Sequence, residues 1–229
     1  MKNSKIAAIV PALNEEKTIG PILQTLLNAP EIDEVILVDG GSKDKTVAIA
    51  EQLGVKVVKN EQGGKGGAMA AGIKNTDAEI IMFFDADLIG LNQEHINGLL
   101  QPVLKDEAVM CTAIRERGGW KGKVGEFFIK IDPLSAIAGE RAIKRFVFES
   151  VPPRFLQKFM VETALNYFCQ VNKLPVKYFK LKGLDIVVKE KKWGFWRGFW
   201  ARLKMNWQMI KIRFLIFSYK KEFLKKDNV

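Results

Sequence analysis

Short, wholly apolar runs alternate with longer stretches of helical spacing through the first half of the chain. Residues 6–10, 35–38, 55–58 and 80–84 read as strands, and 15–28, 44–53 and 67–75 read as the helices between them. Strands that are apolar at every position, rather than at alternate positions, are buried on both faces. The repeating strand–helix order therefore predicts an α/β fold, a Rossmann-like, mainly parallel sheet flanked by helices. Beyond residue 90 the rhythm loosens. A helix over 93–104 and a strand over 108–114 extend the sheet, and the Gly-rich, basic stretch 115–125 reads as a mobile loop. Helical spacing returns over 140–149 and 154–172. The runs 176–181 and 184–188, separated by Lys182 and Gly183, have the pattern of a hairpin. No internal repeat, low-complexity tract or linker interrupts the chain. The organisation is one domain over 1–190, with halves 1–90 and 91–190, and an appended segment over 191–229.

Composition narrows the class. The chain has 229 residues, of which 48% are hydrophobic and 27% charged, enough to bury a core. No run approaches the roughly 18 uncharged residues of a spanning helix, which excludes a polytopic membrane protein. Lys2 and Lys5 precede an apolar run, but Pro11 and the polar cluster Asn14-Glu15-Glu16 follow at once, so a buried strand is expected there, not a secretion signal. Cys111 and Cys169 are too few for a disulfide framework and read as reduced thiols of a cytosolic protein. The charge is uneven. From residue 190 to 229 eleven Lys/Arg face three acids, which accounts for +8 of the net +10. A near-neutral body with one basic tail points to a surface contact made by the tail, and not to a nucleic-acid-binding protein.

In an open parallel sheet, ligands bind outside the carboxyl ends of the strands, so the loops leaving the first four strands are neighbours in space. They hold Pro11-Ala12-Leu13-Asn14-Glu15, Asp39-Gly40-Gly41-Ser42, Gly63-Gly64-Lys65-Gly66-Gly67 and Asp85-Ala86-Asp87. Residues two apart on an extended chain point the same way, with Cα atoms about 6.5–7 Å apart. Carboxylates so placed repel unless a cation lies between them, and Mg²⁺ typically takes one or two carboxylates plus water and substrate phosphate. The alternative is a pair of acids solvated at a strand end. Glycines over 63–67 let backbone amides approach phosphate at a helix N-terminus, with Lys65 adding charge, or they close a tight turn. The spacing is not that of a P-loop. Asn14 and Ser42 either cap helices or line a site. Asp39, ending an apolar strand, can accept from a ribose hydroxyl or a base N–H. No G-x-G-x-x-G follows the first strand, which argues against a nicotinamide or flavin enzyme.

Together these segments resemble the family-2 glycosyltransferases of the type-A (GT-A, nucleotide-diphospho-sugar transferase) fold, in order and spacing over about the first 90 residues. The likeness extends more faintly to Ala138-Gly139-Glu140-Arg141-Ala142, similar to a segment of bacterial members near the glucosyl-phosphoglycerate synthases and polyprenyl-phosphate sugar transferases. The resemblance implies a nucleotide-binding half followed by an acceptor half, and a transfer of sugar from a UDP- or GDP-sugar. It implies that Pro11, Leu13, Asn14, Glu15, Asp39, Gly41 and Ser42 hold the nucleoside, Lys65 lies near the diphosphate, and Asp85, Ala86 and Asp87 form the D-x-D segment. Asp87, with Asp85, would ligate Mg²⁺ or Mn²⁺. Many relatives add a late histidine as metal ligand. Here the one histidine, His95, reads as a surface residue, and Asp185 is the substitute. Where relatives of the polyprenyl-phosphate branch carry Gln, this chain has Ile89. Glu140 opens the predicted 140–149 helix, as general base for an attacking hydroxyl or as a first-turn charge. Glu162 is a weaker candidate for the acceptor side.

The tail gathers Trp193, Trp196, Trp200 and Trp207 with Phe195, Phe199 and a series of Lys and Arg. That is the composition of a basic amphipathic helix lying on anionic headgroups, although a helix packing its aromatics on the domain has the same sequence. The expected protein is a metal-dependent hexosyltransferase with a lipid-linked acceptor, cytoplasmic and peripheral at the inner face of the cell membrane. Its rivals are a sugar-phosphate nucleotidyltransferase and a non-catalytic basic membrane- or nucleic-acid-binding module.

Overall fold

The computed structural model describes residues 4–115, 139–157, 160–186 and 215–224. Strand β1 (Ile6–Ala12) lies near the middle of a seven-stranded sheet. It pairs in parallel with β2 (Glu34–Asp39) on one side and β4 (Ile80–Phe83) on the other, and β3 (Lys56–Lys59) lies beyond β2. β7 (Arg141–Lys144) runs antiparallel between β4 and β6 (Met110–Arg115), and β8 (Val176–Leu181) closes the edge parallel to β6. A separate two-stranded ribbon pairs β5 (Leu88–Ile89) with β9 (Asp185–Ile186). The sheet is thus mostly parallel, as its apolar strands required.

Both faces are covered. Ala8, Val10, Leu37, Met82 and Ala142 pack under α1 (Ile19–Leu27), α2 (Thr46–Gln52) and α4 (Gln93–Leu104). Alternate residues Ala7, Ile9, Ile36, Ile81, Phe83 and Ile143 pack under α3 (Gly64–Lys74), α5 (Arg145–Glu149) and α6 (Met160–Val171). Contact in α3 depends on Gly72, where an added Cβ would lie 2.5 Å from the Ile9 side chain. Among the described residues no helix is long and apolar enough to cross a membrane.

Several expectations change. Residues 140–149 are not one helix: Arg141–Lys144 is strand β7, because its backbone fills the gap between β4 and β6, with Ala142 opposite both Met82 and Cys111. The runs after Pro175 do not pair as a hairpin. Gly183, at φ 68°, carries the chain from the large sheet to the small one, so that β8 joins β6 and β9 joins β5. The 154–172 helix divides into a short 3-10 turn, Pro153–Phe155, and α6. His95 is not on the surface: it is 3% exposed on the apolar stripe of α4, its Nε2 2.9 Å from the Lys182 carbonyl oxygen.

Of the basic tail, residues 215–224 are described, including α7 (Lys220–Phe223). Ile216 and Phe223 are buried against the domain, with Phe223 4.8 Å from Phe155 and 5.1 Å from Tyr167 between ring centroids. The Arg154 guanidinium pairs with Glu222 and lies 4.0 Å above the Tyr219 ring. Leu215, Phe217, Tyr219 and Leu224 are exposed beside Lys220 and Lys221. The four tail tryptophans lie outside the described residues, as does the expected 115–125 loop apart from Arg115, which ends β6.

Burial pushes the thiols of Cys111 and Cys169 up to about 12, so neither carries thiolate character near neutral pH. Native protein at pH 8 is expected to leave both cysteines unmodified by a chromogenic disulfide reagent, and guanidinium-unfolded protein to release two equivalents. Rapid labelling of the native protein would contradict this packing.

Candidate active site

Parallel register brings the first two loops together. Ala12 sits opposite Asp39, and the Gly40 N–H donates to the Ala12 carbonyl at 2.8 Å. The two loops are then laced. Asn14, in the left-handed region at φ 55°, donates its N–H to Ser42 Oγ at 2.9 Å and accepts from the Lys43 N–H through Oδ1 at 2.8 Å. The Glu15 N–H donates to Thr46 Oγ1 at 2.8 Å, while the Glu16 N–H donates to Asp44 Oδ2 at 3.1 Å. Thus α1 starts only at Ile19, and neither Asn14 nor Ser42 caps a helix: both tie one loop to the other. Asp39, nearly buried, accepts the N–H groups of Gly41 and Ser42 at 3.0–3.2 Å, which fixes its carboxylate at the end of β2. Leu13 projects outward at 52% exposure, an apolar face beside these polar groups. The Thr18 hydroxyl spans to the fourth loop and donates to the Ala86 carbonyl at 2.6 Å.

The glycine turn is held by one side chain. Asn60 accepts from the Gly63 N–H at 3.1 Å and donates to the Gly64 carbonyl at 2.9 Å, and Gly63 and Gly64 take φ of 70° and 68°. Gly66 serves packing, since its Cβ would fall 1.8 Å from the Leu156 carbonyl oxygen. That accounts for one glycine by close approach, without phosphate.

Lys65 then reaches across the strand ends. Its ammonium is 2.6 Å from Asp85 Oδ1 and 2.8 Å from Glu162 Oε1, joining the start of α3, the end of β4 and the first turn of α6. Burial opposes its charge, but Asp85 and Glu162 outweigh that cost and hold its pKa above the usual lysine value. Gly139 forms the floor: a Cβ there would lie 2.3 Å from both Asp85 carboxylate oxygens. Next to it Glu140 and Arg141 are fully buried. Burial lowers the Arg141 pKa, opposed by the charges of Glu162, Glu140 and Asp85. Glu140 precedes a strand instead of opening a helix, and it lies in the interior.

Asp87 is half-buried two residues beyond Asp85. The backbone of Asp185 pairs with Ile89, which carries the late segment back to the D-x-D loop, while the Asp185 side chain lies outside the described atoms. Among the described residues no three His, Cys, Asp or Glu side chains gather as a metal cage. Two hard carboxylate oxygens at a sheet edge, with further ligands left to water and phosphate, fit Mg²⁺ or Mn²⁺. The expected residues of all four loops meet at one edge. Thr18 and Asn60 join them from positions that carry no local signal of a site, and Gly139 and Arg141 from the segment that resembles bacterial members of the family.

The model of the family described as glycosyl transferase family 2 matches residues 7–174. A glucosyl-3-phosphoglycerate synthase of Mycolicibacterium smegmatis is 36% identical over 114 residues, 45% of this chain and 38% of that protein. The synthase of Petrotoga mobilis is 30% identical over 198 residues, 70% of this chain and 59% of that protein. The chain's match therefore spans less than two thirds of these curated relatives. The crystal structure of the Mycobacterium tuberculosis synthase in complex with Mn²⁺, UDP-glucose and phosphoglyceric acid has a TM-score of 0.69 at 26% identity, covering 81% of this chain and 72% of that one. Another complex of that enzyme holds Mg²⁺ and UDP.

Two substitutions test the site's construction. Lys65→Met leaves two acids facing one another without their cation and is expected to cost about 3–5 kcal/mol in denaturant unfolding. Because the folded pKa of Lys65 is raised, its contribution is full below the ordinary lysine value near 10.5 and is lost only as pH rises through the higher folded value. The gap between wild type and variant should therefore hold from pH 7 to 9. Gly139→Ala overpacks the Asp85 carboxylate and is expected to cost about 1–3 kcal/mol. An unchanged unfolding midpoint in either variant would contradict the geometry.

Proposed function

We propose, for a chain that belongs to glycosyl transferase family 2, that it transfers a hexosyl group from a UDP-sugar to a small phosphorylated acid of the phosphoglycerate class, with Mg²⁺ or Mn²⁺. The observation that carries this reading is the meeting of Asp85, Asp87 and Lys65 with the laced β1 and β2 loops at one sheet edge. The donor named in complexes of the M. tuberculosis synthase, UDP-glucose with Mn²⁺, supports the choice of nucleotide and cation.

In this reading Pro11, Leu13, Asn14, Glu15, Asp39, Gly41 and Ser42 form the nucleoside pocket. Leu13 supplies the apolar face, and Asp39 keeps lone pairs beyond those used by Gly41 and Ser42 for a donor on the base or ribose. Lys65 neutralises the diphosphate. Asp87 holds the cation together with Asp85 or Asp185. When bound, the cation supplies positive charge to the diphosphate as it departs. The Thr18–Ala86 hydrogen bond keeps the D-x-D backbone in register with the nucleoside loop. An acceptor phosphate is anionic near pH 7 and is attracted by the Lys65 and Arg141 charges. Glu140 is wholly buried immediately before β7, beside Arg141.

A second reading has a lipid-linked acceptor and a protein seated on the inner face of the membrane. It is favoured by the exposed Leu215, Phe217, Tyr219 and Leu224 beside Lys220 and Lys221.

Full-length protein is expected to release UDP from UDP-glucose in the presence of Mn²⁺ and 3-phosphoglycerate, and to stop when the cation is chelated. Asp87→Ala should lower the rate by about a hundredfold or more at unchanged melting temperature. A rate insensitive to both chelation and Asp87→Ala would refute the reading. Turnover with a polyprenyl phosphate in anionic liposomes, and none with 3-phosphoglycerate, would select the second acceptor.

A further inference from the structure

Lys65 is claimed twice: by Asp85, a member of the D-x-D pair, and by Glu162, which is 4% exposed and lies on a different helix. Such a bridge is more than a neutral structural pair. Asp85 Oδ1, at 2.6 Å from the ammonium, is one of the two carboxylates that a cation would use, and an ammonium in contact with that oxygen repels a divalent ion approaching it. Glu162, by contrast, stands behind Lys65 and keeps the lysine at the strand end whichever partner it has in front. An ammonium carries three donors on a flexible stem, and Asp85 and Glu162 engage two of them, so it can exchange Asp85 for a phosphate oxygen without leaving Glu162.

We propose that Glu162 is a positioning residue that holds Lys65 on Asp85, so that lysine and divalent cation are rivals for this carboxylate until a nucleoside diphosphate draws the lysine to its phosphates. The proposal rests on the UDP-sugar and cation reading above. Its consequence is positive coupling: UDP tightens the cation, and the cation tightens UDP by the same factor. Cation and nucleotide then bind as a pair, with the cation alone held weakly. Glycine at 139 fits the scheme, because Asp85 is packed too closely on Gly139 to swing away from Lys65 on that side.

The test is Mn²⁺ binding to full-length protein, followed by the electron paramagnetic resonance of free Mn²⁺, with and without saturating UDP. Wild type should bind Mn²⁺ about five- to tenfold more tightly with UDP than without. Lys65→Met should tighten Mn²⁺ in the absence of nucleotide and shrink the effect of UDP. Glu162→Gln, which removes the hold on Lys65 and lets it leave Asp85, should likewise tighten Mn²⁺ in the absence of nucleotide and shrink the effect of UDP, and unchanged Mn²⁺ binding in this variant overturns the positioning role. The double variant Lys65→Met/Glu162→Gln removes the lysine without leaving a second buried carboxylate, and it carries the same expectation as Lys65→Met should that variant not fold. A Lys65 variant that binds Mn²⁺ alone no better than wild type overturns the proposal and leaves the functional reading standing. Wild type that binds neither Mn²⁺ nor UDP overturns both.

Discussion

Three parts of the chain far apart in sequence meet on a single ammonium. Lys65 opens one helix, Asp85 ends a central strand, and Glu162 lies in the first turn of a helix nearly a hundred residues later. In a partly buried setting each charge is tolerable only because the others are present. The cluster therefore does two jobs. It fixes where α3 and α6 sit relative to β4, and it keeps the Asp85 carboxylate, the Lys65 ammonium and the Glu162 carboxylate within hydrogen-bond reach. Gly139 and Glu140, just before β7, and Arg141, its first residue, lie against the same spot, so the segment entering the sheet's antiparallel strand packs there as directly as the ends of its parallel ones.

Parallel strands end on the same edge, and that constraint explains why so much of the site is legible in the order of residues alone. β1, β2 and β4 stand out as continuous apolar runs, and the loops following them have to be neighbours. What the sequence hides are partners defined only by tertiary packing. Arg141 sits in a strand that fits helical spacing equally well, and only the gap between β4 and β6 makes it extended. Thr18 carries no local signal that its hydroxyl will bridge to Ala86. His95 departs from expectation for a different reason. It precedes Leu99 by four residues on α4 and falls on the stripe with Ile96, Leu100 and Val103, so the periodicity itself places it inward. Its polarity suggests otherwise, and a backbone carbonyl from the β8–β9 turn satisfies one ring nitrogen.

The loops differ in how they are held, and the difference bears on function. The β1 and β2 loops are cross-tied through backbone N–H groups, an arrangement suited to a pocket that must be formed before its ligand arrives. The D-x-D loop is anchored at Ala86 and through Asp85, two residues before the half-buried Asp87.

The insertion of β7 between β4 and β6 also constrains how the chain comes to be folded. When β4 leaves the ribosome, one flank can pair at once with β1, but its other flank must wait until about sixty more residues have been made, several seconds at ordinary translation rates. Throughout that interval a wholly apolar strand presents open backbone hydrogen-bonding groups to any passing chain. The late arrival of Arg141–Lys144 is thus the step that seals the nascent sheet, and a chain truncated before it would expose a sticky edge in place of a finished protein.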